Sequence, residues 1–214
     1  MNHSKVNTTR SQVKNAFEGL KNDVKLIVFT QEFECNRCKE NRELMEELSN
    51  LSDKVSVEIL DFASDEEKAK HHGVDKIPAT LVQGTKNHGV RFYGLPGGYE
   101  FQSLIHAIKM VSLGEPSLSK ETKTKLKTLS NPVHIQVFVT LTCPYCPSAV
   151  QMAHQMAMES DLIRGDMVHS EEFPHLTNKY KVFAVPKVVI NEEIEFEGTL
   201  PEPKFLEHIM QATK

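Results

Sequence analysis

A single shift of 108 positions carries Cys35, Cys38 and Pro78 of this chain onto Cys143, Cys146 and Pro186. Self-similarity over such a distance means that whatever unit the first half folds into, the second half folds into again. The same shift places Leu44 and Leu48 on Met152 and Met156, Glu58 on Asp166, and Ile77 on Val185. Upstream, Phe17, Leu20 and Val24 recur as Leu126, Leu129 and Val133 at nearly that spacing. Downstream, Gly94 and Phe101 answer to Gly198 and Phe205 once a shorter hairpin is allowed. With 214 residues in all, each copy has enough chain for a core of its own.

Within the first copy, VKLIVF (24–29) is short, apolar and β-branched, which predicts a buried strand. In the following CKENRELMEELSNL, the apolar residues Leu44, Met45, Leu48 and Leu51 have helical spacing. Cys35 then lies at the mouth of a helix and Cys38 in its first turn. VSVEILDF (55–62) predicts a second strand, DEEKAKHHG a short helix closed by Gly73, and ATLVQ a third strand after Pro78. GVRFYG and the helix YEFQSLIHAIKM complete the unit. The second copy repeats the order, with strand VHIQVFV, helix CPYCPSAVQMAHQMAMES, a strand around DMVHSEE, a short helix, Pro186, strands KVVIN and EIEFEG, and helix PEPKFLEHIMQA. SLGEPSLSKE reads as the linker, with a leading helix beginning near Ser119. The expected units are residues 1–115, with the CNRC site, and 116–214, with the CPYC site.

All four cysteines fall in these two CxxC pairs. The amino terminus lacks the apolar core of a secretory signal, and no run approaches the ~18 apolar residues needed to span a bilayer, so the expectation is a cytoplasmic protein. In a reducing compartment structural disulfides are disfavoured, and paired thiols point to redox catalysis or to a metal. A formal net charge of -4 offers nothing to nucleic acid, and no membrane partner is expected.

The pattern itself states a chemistry. The thiolate is the attacking species, and unpaired N–H groups at a helix amino terminus stabilise negative sulfur, bringing such thiols to a pKa of roughly 3.5–7.5. Cys35 and Cys143 are therefore the expected nucleophiles, and Cys38 and Cys146 resolve the mixed disulfide. Pro144 and Pro147 suit the first turn of a helix. Glu58 and Asp166, at matched positions in apolar strands, are candidates for accepting the resolving cysteine's proton if burial raises their pKa; the alternative is a solvent-facing strand residue. Arg37 either lowers the thiol pKa of the first pair or points into water.

A βαβ unit followed by a hairpin and helix, with CxxC at the first strand-to-helix turn and a proline before the third strand, resembles the thioredoxin fold. CPYC with Pro147 resembles a glutaredoxin site. The duplicated layout, with VKLIVF, GVRFYGLPGG, FVTLTCPYCPSAV and AVPKVVI, is similar to the protein disulfide oxidoreductases and to the amino-terminal arm of alkyl hydroperoxide reductase flavoproteins. The resemblance implies an α/β protein of two tandem thioredoxin-like folds, each a mixed central sheet flanked by helices. It implies exchange of dithiol for disulfide in protein substrates, with no cofactor beyond the redox-active disulfides. A thioredoxin-reductase-like flavoprotein or glutathione would donate electrons, and a peroxiredoxin is a further implied partner. Pro78 and Pro186 would be cis and, with Ile77 and Val185, would pair with substrate chain. Unlike the thioredoxin pattern, neither VKLIVF nor VHIQVFV carries a carboxylate.

Competing readings are a redox-silent polypeptide-binding module and a zinc protein using all four cysteines. Against zinc, 104 residues separate the pairs, far more than the usual short loop. Met152, Met156 and Met158 read as helix core rather than a soft-metal stripe, and His71–His72 as a solvated pair. The less polar Pro144–Tyr145 loop favours the carboxy-terminal site for substrate reduction, with the amino-terminal site tuning it or relaying electrons.

Overall fold

The computed structural model describes residues 3–213; Met1, Asn2 and Lys214, and with them the outer ends of the two expected units, lie outside the described residues. The first half runs α1 (His3–Phe17), β1 (Val24–Thr30), α2 (Cys38–Ser49), β2 (Val55–Asp61), α3 (Glu66–His72), β3 (Ala79–Gln83), β4 (Asn87–Tyr93) and α4 (Glu100–Leu113). The second repeats this order as α5 (Lys120–Leu126), β5 (Val133–Val139), α6 (Cys146–Glu159), β6 (Ile163–His169), α7 (Pro174–Lys179), β7 (Lys187–Ile190), β8 (Ile194–Glu197) and α8 (Glu202–Gln211). Gly73 ends α3 in the left-handed region, and the Ser119 hydroxyl caps α5 by accepting from Thr122 N–H, both where the sequence puts them.

Each half contributes four strands to one continuous eight-stranded sheet ordered β2-β1-β3-β4-β6-β5-β7-β8. Strand β1 is parallel to β2 and antiparallel to β3, which is antiparallel to β4; β5, β6, β7 and β8 repeat those relations. The halves join where β4 lies parallel to β6, Val90 opposite Gly165 through Tyr93 opposite Val168. All strands but β3 and β7 therefore run one way. The continuous sheet was not expected, because a repeat specifies each unit but not the edges by which two units meet.

Alternation along each strand divides the core between the two faces. Leu26 and Val28 of β1 pack with α1, α2, α4 and their repeats, whereas Ile27 and Phe29 face α3, α7 and the ring of Tyr93. Met156 and Met158 are buried in α6 and Met152 packs on them, so the methionines are core. His71 is exposed, while His72 lies edge-on to Phe29, an apolar contact that the expectation of a solvated pair did not include.

Candidate active site

Because β1 and β5 are parallel members of one sheet, their carboxy-terminal ends lie on the same edge, and each delivers a CxxC pair there. Four strand spacings of ~4.8 Å separate those ends, about 19 Å before twist. Four sulfurs around one zinc ion would each sit ~2.3 Å from it, so this spacing removes the shared zinc site. Both pairs are disulfides, with Cα atoms 5.5 Å apart in each.

Both helices start at the second cysteine, which is fully buried, while the first lies in the preceding turn: Cys35 is partly exposed and Cys143 is 7% exposed. Pro147 occupies the first turn of α6, whereas Pro144 lies in the turn before it. The Cys146 N–H donates to Cys143 Sγ at 3.1 Å. That is the unpaired amide of a helix amino terminus directed at sulfur, the contact that stabilises a thiolate there. The Ile77–Pro78 and Val185–Pro186 peptide bonds are both cis. Val185 O lies 3.8 Å from Cys143 Sγ, so the loop before β7 closes over the second pair. In the first half, Asn41 of α2 donates to the Thr80 hydroxyl at 3.0 Å, tying the CxxC helix to the strand that follows Pro78.

The two strand carboxylates share a register, Glu58 opposite Ile27 and Asp166 opposite Gln136, but not an environment. Glu58 is more than a third exposed and pairs with Lys25 at 3.2 Å and Lys68 at 4.0 Å, so it is not the buried acid that the matched strand positions suggest. Asp166 is completely buried, yet its pKa is lowered rather than raised. Desolvation, the largest single influence, pushes it up, but the His134 hydrogen bond at 2.6 Å and the charges of Arg164 and Arg91 together outweigh it. Their partners are these groups and not a cysteine. Arg37 is likewise engaged, its guanidinium paired with Glu40.

A different carboxylate has the property sought. Glu100, in the first turn of α4, is 0% exposed and neither oxygen has a well-formed hydrogen bond. Burial pushes its pKa up to about 7, with Ser103 and His169 only partly opposing. The preceding residue fixes its place: Tyr99 N–H donates to Leu141 O at 3.1 Å, two residues before Cys143. A first-half segment thus touches the turn that leads to Cys143. Sequence reasoning passed over it because a Glu at a helix start is ordinarily an exposed dipole partner.

Exposed aromatic side chains mark the same edge: Phe33 (76%) before the first pair, Tyr145 (70%) within the second, and Phe183 (89%) before Val185.

Residues 133–211 match the thioredoxin domain family. The chain is similar over 96% of its length to a protein disulfide oxidoreductase from Aeropyrum pernix, covering 92% of that chain with TM-score 0.91 and 29% identity. It is also similar to the alkylhydroperoxide reductase AhpF of Enterococcus faecalis, with TM-score 0.88 and 25% identity, covering 95% of this chain and 98% of that one. Curated relatives include the corresponding alkyl hydroperoxide reductase protein of Staphylococcus aureus, 29% identical over 185 residues, 86% of this chain and 33% of that protein. A Bacillus subtilis protein named NADH dehydrogenase is 28% identical over 86% of this chain and 34% of its own length. The chain spans about a third of the length of these curated relatives. Tandem thioredoxin folds, each with a CxxC pair at disulfide distance, equip a thiol–disulfide oxidoreductase. Among the described residues no helix is long and apolar enough to cross a membrane.

Proposed function

We propose that this thiol–disulfide oxidoreductase reduces disulfides in polypeptide substrates mainly through Cys143 and Cys146, with Cys35 and Cys38 as a second, slower pair. The observation that carries the assignment is the Cys146 amide aimed at Cys143 Sγ. In this reading the Cys143 thiolate attacks a substrate disulfide and forms a mixed disulfide, releasing one substrate thiolate. Cys146 loses its proton to Glu100 and attacks Cys143 Sγ, releasing the second substrate thiolate and leaving the pair oxidised. Glu58 and Asp166, held by their own cationic partners, take no part in that transfer.

Substrate chain would lie along the Val185 carbonyl and over Pro186, with Ile77 and Pro78 the corresponding positions at the first pair; Tyr145 and Phe183 supply apolar area. The units 1–115 and 116–214 are then one redox module each, a cytoplasmic assignment matches their chemistry, and no cofactor besides the disulfides is needed. A thioredoxin-reductase-like flavoprotein or glutathione restores the dithiols, and a peroxiredoxin is a candidate recipient. Because the strand ends stand about 19 Å apart, electrons do not pass directly between the two pairs; a relay would need an external carrier. Insulin reduction by the two separate double-serine variants tests the division. Loss of most activity in Cys143→Ser/Cys146→Ser and retention in Cys35→Ser/Cys38→Ser is expected, and equal losses would refute it.

A further inference from the structure

We propose that a cavity at the sheet edge opposite the redox pairs is a binding site for a phosphate-class oxyanion held between the two halves. The cavity, about 360 Å³, opens where β4, β5 and β6 begin. Arg91 from the first half and Arg164 and His134 from the second line it, with Asn87 and Gly89 at its wall. Seven-residue strands at ~3.3 Å per residue put it more than 20 Å from the cysteines, so it is separate from the redox chemistry.

The charges at this place are not balanced by the protein. A side-chain atom at the Gly73 Cβ position would lie 3.6 Å from Arg91 Nη1 and 3.9 Å from Arg164 Nη1, so the two guanidinium groups that line the cavity both come up to the Gly73 turn beside it. Asp166, which does not line the cavity, is the single carboxylate among them, 3.3 Å from Arg164 Nε. Asp161 at the rim is already paired with Lys86 at 2.6 Å. Two guanidinium cations against one carboxylate leave a net positive charge. Arg91 is 7% exposed, and its buried Nε has no partner among the described residues; its Nη1 donates to Gly73 O at 2.8 Å and to the Tyr93 hydroxyl at 3.5 Å, while Arg164 Nη2 lies 3.0 and 2.7 Å from the two ring nitrogens of His134. A buried guanidinium with its Nε donor unmet, beside a second one and an open cavity, is costly unless an acceptor fills the space. Paired guanidinium forks match the oxygens of a phosphate group.

The test is calorimetric titration of the full chain with inorganic phosphate at constant ionic strength, with adenosine monophosphate as a second arm. Amide NMR would locate the site without any mutation. Saturable binding, shifts gathered at Gly89, His134 and Arg164, and at least tenfold weaker binding in Arg164→Gln with unchanged insulin reduction support the site. Tighter binding of the nucleotide identifies a phosphate ester as the ligand, and tighter binding of inorganic phosphate identifies the free anion. No saturation with either probe at millimolar concentration, shifts elsewhere, or binding indifferent to Arg164→Gln would overturn it.

Discussion

The Cys146 N–H reaches Cys143 Sγ at 3.1 Å, and Cys35 has no equivalent amide contact among the described residues. The loop before Cys35 is one residue longer than that before Cys143, and Glu34 within it adopts a φ of 58°. The inequality of the two sites therefore lies in the backbone around sulfur. The cation of Arg37, which the sequence offers beside the Pro144–Tyr145 loop as a difference between the sites, is paired with Glu40.

An amide held on one sulfur and not on the other predicts unequal thiolate populations in the reduced protein. Cys143 should be alkylated by iodoacetamide roughly tenfold faster than Cys35 near pH 6, the factor expected for about one unit of pKa difference. Mass-spectrometric quantitation of each site after brief exposure measures this directly. Equal rates would remove the basis for assigning the main reaction to the second pair.

Glu100 couples proton transfer to stability. Its folded pKa, about 7, lies above the ordinary 4.5, so folding prefers the protonated carboxyl. The stabilising contribution is complete below pH ~4.5 and is lost as pH rises through about 7. Between pH 5 and 8 the wild type should lose on the order of 3 kcal/mol relative to Glu100→Gln, visible in urea denaturation across that range. The same variant should prolong the mixed disulfide trapped at Cys143 and erase the limb near pH 7 in the rate profile. A profile identical to wild type would leave Glu100 with a structural role alone.

Much of this was legible in the repeat. A fixed spacing of cysteines and prolines, apolar runs and cap residues placed all eight strands in order, and strand β5 falls on VHIQVFV as read. Strand β6 was displaced because Ile163-Arg164-Gly165-Asp166 looks like a polar turn. In the structure Arg164 and Asp166 pair with each other, and Gly165 lets the strand approach α6, where a Cβ would come within 2.8 Å of Ala153 O. Asp166 was misjudged for the same reason: the groups that hold it, Arg91, His134 and Arg164, come from three different strands. Glu100 went unnoticed because its burial is a matter of tertiary packing, which no local pattern records.

The exposed aromatics predict a binding effect without a chemical one. Phe183 is 89% exposed, so Phe183→Ala should raise KM for a polypeptide disulfide severalfold while leaving kcat unchanged. Its reactivity toward a small disulfide such as oxidised glutathione should not change. Steady-state kinetics with both substrates separates the two effects, and a fall in kcat would show that Phe183 positions the site instead.

The contact between Gly98 and Leu141 offers a way to disturb the second site from the first half. Gly98 has φ 55°, and a Cβ there would fall 2.2 Å from Leu141 O, backbone that cannot swing aside. Gly98→Ala must therefore move the loop that carries Tyr99 and Glu100 away from the turn leading to Cys143, breaking the Tyr99 N–H to Leu141 O hydrogen bond. A loss of about 1–3 kcal/mol is expected from the strained φ and the broken contact. Gly114 supplies the control, since its φ is 75° but nothing lies within 4 Å of a Cβ there. Gly114→Ala bears the conformational cost without the collision. Only Gly98→Ala should slow alkylation and turnover at Cys143, and neither variant should alter alkylation of Cys35. If both alanines affect Cys143 alike, the approach of the two halves does not shape the second site.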